Sequence, residues 1–274
     1  MGNLPDDFMF SQSSLQDYVD CPRRFELKYL LKQRFPAPEV DDMLEFERRM
    51  EQGERFHKLV HQHLLGIPTD LLKQRIQDNE LAEWFDTYLD TGLDDVPEQR
   101  YPEKTLTIPI GDYGLLAKVD LLAIDADTVK IIDWKTSRHI PKPDKLQSRW
   151  QTRVYLYVVT KGANYLTDNE QIAPNTVEII YWYANYNGTT RRFAYSQAQF
   201  EQDEQDLLQL IDDIDNTTVF PLTSDERRCR FCTYRSLCDR GETAGALDDY
   251  DVEDYTSYME DFTIDFDQIA EIEF

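Results

Sequence analysis

Asp120, Asp133 and Lys135 are the residues whose types and spacing promise chemistry. Leu115 to Ile124 and Val129 to Ile132 are apolar, β-branched-rich runs, and Asp125-Ala126-Asp127 between them suits a turn, so the stretch reads as a β-hairpin. Asp120 lies within the first run and Asp133 at the exit of the second. Lys135 follows two residues later, on the same face of an extended chain. The hairpin therefore gathers two carboxylates and an ammonium around one point. A carboxylate among apolar neighbours is costly unless paired or bound to a cation, and two together repel until a divalent metal relieves them. The plainer alternative puts Asp120 on a solvated face and makes Asp133–Lys135 a surface ion pair. D-x-K is a common triplet, and the hairpin alone does not choose.

Cysteines form the second reactive set. Cys21 stands alone early in the chain, while Cys229, Cys232 and Cys238 follow C-x2-C-x5-C spacing inside the Arg-rich RRCRFCTYRSLCDRG. Four thiols without a secretory signal read as ligands rather than disulfides, and they suit zinc or an iron–sulfur cluster. A structural zinc site usually pairs two C-x2-C hooks. One hook, one follower and a distant partner favour a 4Fe–4S cluster that staples the two ends of the chain, with zinc as the lesser alternative. The remaining reading leaves Cys21 as an ordinary buried residue.

The elements that must position these residues follow from periodicity. Ser11 and Ser13 are candidate helix caps, and Pro22 opens a second short helix with Cys21 at the junction. Residues 39–65 form a longer amphipathic helix with His57, Val60 and Leu64 near one face and Gly66 as its stop. A third helix spans 70–90. From Lys104 the period becomes that of strands: KTLTIPI, then the hairpin. A helix over 143–161, strands over Val177 to Tyr183 and Thr190 to Tyr195 joined through Asn187-Gly188, and a helix capped by Ser196 complete the pattern. Tyr181, Trp182 and Tyr183 read as core packing rather than a base-stacking platform. The order implies a mixed α/β layer with a helical N-terminal cap.

At 41% hydrophobic and 12% aromatic, the 274 residues suit a globular core. No apolar run approaches the roughly eighteen residues that cross a bilayer. The opening MGNLPDDFMF lacks the pattern of a secretory signal, so the expectation is a cytoplasmic protein without membrane attachment. The net charge of −24 speaks against nucleic acid at first. Half of it resides in 242–274, where twelve acidic residues occur with no Lys or Arg. Basic residues cluster elsewhere, among them Arg138, Arg149 and Arg153, the candidate DNA contacts.

Six motifs in order resemble the RecB-type nucleases of the PD-(D/E)XK superfamily, in the iron–sulfur branch with AddB-type nuclease domains and CRISPR-adaptation exonucleases. They are S-x-L-x-D-Y-x-x-C-P-R-R-F from Ser13, G-E-R-F-H (Gly53 to His57), K-V-D ending at Asp120, D-W-K (Asp133 to Lys135), Q-T-R-V-Y (Gln151 to Tyr155) and the cysteine run. The resemblance implies a restriction-endonuclease-like mixed β-sheet flanked by helices. Its nuclease domain would occupy 1–241, with a helical part over 11–100, a catalytic core over 101–215 and a cysteine loop over 216–241 closing on Cys21. An acidic tail, 242–274, follows.

For chemistry, the resemblance implies that His57, Asp120 and Asp133 bind a divalent metal, with the Trp134 carbonyl as a further ligand. Oxygen donors favour Mg²⁺, and an imidazole makes Mn²⁺ competitive. Lys135 would orient or help deprotonate the attacking water and stabilise charge on the phosphate. Gln151 and Tyr155, one helical turn apart, would flank the site; the alternative is a partly exposed helix face. Glu103 occupies a position where some relatives carry an acid. The implied activity is a metal-dependent deoxyribonuclease, an exonuclease on ends or single strands, in the company of a helicase or a CRISPR-adaptation or repair protein. The competing reading is a non-catalytic DNA-end-binding scaffold, which has no need of Asp120 and Asp133 side by side. No Walker-type loop occurs, so any motor belongs to another chain.

Overall fold

The computed structural model describes residues 4–34, 41–126, 128–167, 170–230 and 232–241, without the side chains of 41–47; the acidic tail lies outside the described residues. Ser11 ends a short strand, β1 (Met9–Ser11), and caps α1 (Gln12–Asp20) reciprocally. The Ser14 amide donates to its hydroxyl at 3.2 Å, and its own amide donates to the Ser14 hydroxyl at 2.9 Å. Pro22 opens α2 (Pro22–Phe25), which continues as a π-helical turn over Glu26–Leu30. The next helix, α3 (Asp41–Leu64), stops at Gly66. In place of one helix over 70–90 there are two, α4 (Thr69–Lys73) and α5 (Asn79–Thr91), because Asp78 caps a fresh start by accepting from the Leu81 amide at 3.1 Å.

Three long strands follow: β2 (Gln99–Ile110), which starts before the expected Lys104, β3 (Tyr113–Ile124) and β4 (Val129–Lys135). The helix expected over 143–161 is also divided, into α6 (Pro143–Ser148) and α7 (Trp150–Gly162). Arg149 between them is extended, and the Thr152 hydroxyl donates to the freed Leu146 carbonyl at 2.6 Å. Then come β5 (Val177–Tyr183), β6 (Thr189–Ala194) and α8 (Gln197–Asp215), the last capped by Ser196.

The strands form one mixed sheet in the order β1-β3-β4-β5-β6, with β2 also on β3. Because β2 pairs with β3 along its whole length, β1 and β4 must share the opposite edge. There β1 runs parallel to Gly114–Leu116 and β4 antiparallel to Leu121–Ile124. Residues 117–120 between them are left unpaired on that side, which makes a notch in the sheet ending at Asp120. Helices cover both faces, giving the restriction-endonuclease-like arrangement. One core packs α1, α7 and α8 on the sheet, and the other packs α3 and α5 around Phe56, Trp84, Tyr88, Trp134 and Trp182. Each fully buried ring or aliphatic contributes roughly 1.5–3 kcal/mol, so the sheet is a stiff support.

The β5–β6 connection turns through Asn187 and Gly188, both at positive φ (50° and 73°). A Cβ on Gly188 would lie 2.2 Å from Thr91 Oγ1 and 2.9 Å from Trp182 Nε1, two atoms bonded to each other at 3.3 Å. Gly188→Ala is expected to cost about 2 kcal/mol, read as a lower urea midpoint with unchanged slope. A midpoint equal to that of the parent would show that the turn relaxes freely.

Candidate active site

The notch is where the predicted residues meet. Continuing the β3–β4 register past its last pair, Leu121 with Ile132, sets Asp120 opposite Asp133. Here the side chain replaces the ladder, and Asp120 Oδ2 accepts from the Trp134 amide at 2.9 Å. The same oxygen lies 3.3 Å from His57 Nδ1 on α3. Gly53 lets α3 come this close, since a Cβ there would sit 3.1 Å from Thr136 Oγ1 at the end of β4.

Asp133 and Lys135 point to the α7 side and are buried, 3% and 5% exposed. Their carboxylate and ammonium lie 2.9 Å apart. Gln151 closes the set: its Nε2 donates to Asp133 Oδ1 at 3.0 Å, and its Oε1 accepts from Lys135 Nζ at 3.1 Å. One turn on, the Tyr155 hydroxyl accepts from Gln12 Nε2 at 3.3 Å, bringing in the first residue of α1. Gln151 and Tyr155 are thus buried, not a solvated helix face.

Glu103 joins from β2. The pairs Pro102–Leu121 and Lys104–Val119 bracket it opposite Asp120. Its φ of +49° is unusual for a residue with a side chain. The pleat changes phase here: Leu115, Ala117 and Val119 face the α7 core, whereas beyond Asp120 that core receives Leu122 and Ile124, and Leu121 and Ala123 face the other. His57, Glu103 and Asp120 each offer a ligand atom within 4.8 Å of the other two. The described metal-capable trio therefore has Glu103 where the sequence led us to expect Asp133, whose oxygens turn to Lys135 and Gln151.

Electrostatics distinguish the two aspartates. Burial pushes the Asp133 carboxyl up to about 6 against the pull of Lys135, with Asp120 adding to the rise. Burial acts on Asp120 in the same sense, but His57 and the Trp134 amide hold it below its ordinary value. Burial likewise opposes the His57 cation, yet Asp120 raises its pKa above the usual range. Tyr155 stays a neutral phenol, raised by burial and by Asp133. Two carboxylates held this close, with an imidazole and a third carboxylate beside them, fit a hard divalent cation by donor type and by charge.

The three arginines scatter. Arg138 is exposed and lies 3.4 Å from Glu80. Arg149 is buried. Arg153 turns away from the notch: its guanidinium pairs with Asp203 at 2.6 Å and with Asp206 on α8, and it stacks on Trp150. Gln12 and Thr152 were not singled out from the sequence, although Gln12 directly precedes the Ser13 motif.

Cys21 sits between α1 and α2, and none of the four cysteines is in a disulfide. Burial raises the thiols of Cys229, Cys232 (to about 11) and Cys238, and Cys21 is near enough to raise each of them further. Cys21 therefore lies near the segment that carries the other three cysteines. Among the described residues, no three of these sulfurs lie within 4.8 Å of one another.

Two acids and a lysine thus converge where two strands of a mixed sheet part. Residues 9–239 match the family model of the PD-(D/E)XK nuclease superfamily, and the chain belongs to that superfamily. No curated protein matches it in sequence. Two solved structures are similar at 14% identity. One is SSO0001, with a TM-score of 0.42 over 86% of this chain and 88% of that one. The other, from Eubacterium rectale and provisionally described as an exonuclease, has a TM-score of 0.48 over 92% and 94%. Among the described residues no helix is long and apolar enough to cross a membrane.

Proposed function

We propose that the protein is a metal-dependent deoxyribonuclease, acting as an exonuclease on DNA ends or single strands, with a structural 4Fe–4S cluster held by Cys21, Cys229, Cys232 and Cys238. The observation that carries the nuclease reading is the buried closed set of Asp133, Lys135 and Gln151 beside Asp120. His57, Glu103 and Asp120 would hold Mg²⁺ or Mn²⁺, with Asp133 and the Trp134 carbonyl as further oxygens. Such a cation supplies Lewis acidity toward the phosphate and a water of lowered pKa. Lys135 carries the positive charge that stabilises the developing phosphorane oxygens. Gln151 fixes Lys135 and Asp133 through one hydrogen bond to each, and Tyr155 is a buried neutral hydroxyl one turn away. Of the candidate DNA contacts, Arg138 is the exposed one. Partnership with a helicase or a CRISPR-adaptation or repair protein rests on the family resemblance alone.

The test is digestion of end-labelled single- and double-stranded DNA by anaerobically purified protein with Mg²⁺, Mn²⁺ or chelator. Cleavage unaffected by chelator would remove the metal-dependent assignment, and cleavage absent with every metal would favour the scaffold reading.

Metal affinity should depend on pH. Ligands bind deprotonated, and Asp133 (about 6) and His57 (raised) both carry protons in mildly acidic solution. Lowering the pH from about 7.5 to about 5.5 should weaken Mn²⁺ binding by about a hundredfold, measured calorimetrically without DNA. Asp133→Asn should flatten part of the slope. A pH-independent affinity would exclude both groups from the site.

A further inference from the structure

We propose that Tyr181, a buried residue of β5, is a positioning residue for Lys135, holding the ammonium by the face of its ring; this rests on Lys135 being the residue that meets the scissile phosphate. Lys135 Nζ lies 5.4 Å from the Tyr181 ring centroid, within the range where a ring quadrupole attracts a cation. The parallel β4–β5 register sets Tyr181 beside Asp133 and on the same face as Lys135. Asp133 holds the ammonium as an ion pair and Gln151 by accepting a hydrogen bond, and the ring supplies a further wall without competing for its protons.

The ring is itself fixed. The Thr152 hydroxyl has one proton and gives it to the Leu146 carbonyl at 2.6 Å. The contact between Thr152 Oγ1 and the Tyr181 hydroxyl, 2.7 Å, is therefore donated by tyrosine. Burial keeps that phenol neutral. Thr152 adjoins Gln151 on α7, so one turn of helix sets both the amide and the ring that bound Lys135. The break at Arg149 exposes the Leu146 carbonyl that orders this chain.

An aromatic residue 0% exposed would also serve as plain core, and the test separates the roles. Tyr181→Phe keeps the ring, Tyr181→Met fills the space without a π face, and Phe193→Leu removes a ring packed on Tyr181 at 6.2 Å, away from Lys135. Single-turnover DNA cleavage should fall about fivefold to thirtyfold in Tyr181→Met, with KM changed less than about twofold, and stay within about threefold of the parent in Tyr181→Phe. Phe193→Leu should lower Tm comparably to Tyr181→Met yet cleave at the parent rate. The proposal fails if Tyr181→Met keeps its rate, if Tyr181→Phe loses as much, or if rates simply follow Tm across the three. If Lys135→Met also cleaves normally, the placing of Lys135 at the scissile phosphate fails; if Lys135→Met is inactive, only the role of Tyr181 is overturned.

Discussion

Lys135→Met is expected to slow DNA cleavage by about a hundredfold to a thousandfold or more, the scale of losing one preorganised charge or donor at a reacting oxyanion, while DNA affinity stays within about threefold. Methionine keeps the aliphatic stem between the sheet and α7, so packing survives. What it removes is the ammonium shared by Asp133 Oδ2 and Gln151 Oε1. Asp133, already raised by burial, then takes up a proton more readily, because the one cation that lowers its pKa most is gone. The side chain is only 6% exposed, too deep to anchor DNA by itself, so binding should persist. Single-turnover digestion and fluorescence anisotropy on the same labelled strand separate the two effects. Metal-dependent cleavage that survives both Lys135→Met and Asp120→Ala would end the proposal of catalysis at this notch.

The second large effect is expected at the other end of α1. Cys21→Ser should abolish the visible absorbance of the anaerobically purified protein and open residues 222–241 to trypsin about a hundredfold faster. The protein anchor of that segment is small: Leu27, Cys232 and Tyr234 are buried, with Cys238 packed beside them. By area that is a few kcal/mol at most, offset by the entropy of ordering a segment made only of short turns. Ion pairs add a tie, since Arg228 reaches Asp20 at 2.9 Å, and Asp20 also holds Arg24 at 3.0 Å. Such pairs hold geometry better than they hold stability. In the proposed cluster, four thiolate bonds would supply the strong restraint. Elemental analysis finding zinc without iron, or a Cys21→Ser protein of parental colour and protease resistance, would overturn the cluster.

The β3–β4 hairpin was legible because its apolar runs are long and their carboxylates interrupt them, which a strand tolerates only with compensation. Gln151 and Tyr155 were legible as neighbours through helical spacing. The strand β1 was not, because Met9–Ser11 is too short to show a period and pairs with a strand far along the chain. Asp78 and Arg149 divide helices that look continuous, because the apolar period runs across both breaks and the local contacts of Asp78 with Leu81 and of Thr152 with Leu146 leave no mark on it. Glu103 was visible as an acid, but its left-handed backbone and its place opposite Asp120 belong to the folded sheet. Tyr181 was rightly read as core; its contact with the lysine needed the parallel register.

The notch in β3 also constrains when the enzyme can exist. Its upper wall is the N-terminal strand and its lower wall a strand synthesised after more than a hundred intervening residues, while Gln151 arrives later still. Contacts of such sequence separation form late. A nascent or clipped chain thus lacks a wall, and the capacity to cut appears only in a finished molecule. If the proposed nuclease activity holds, incompleteness is its own safety catch.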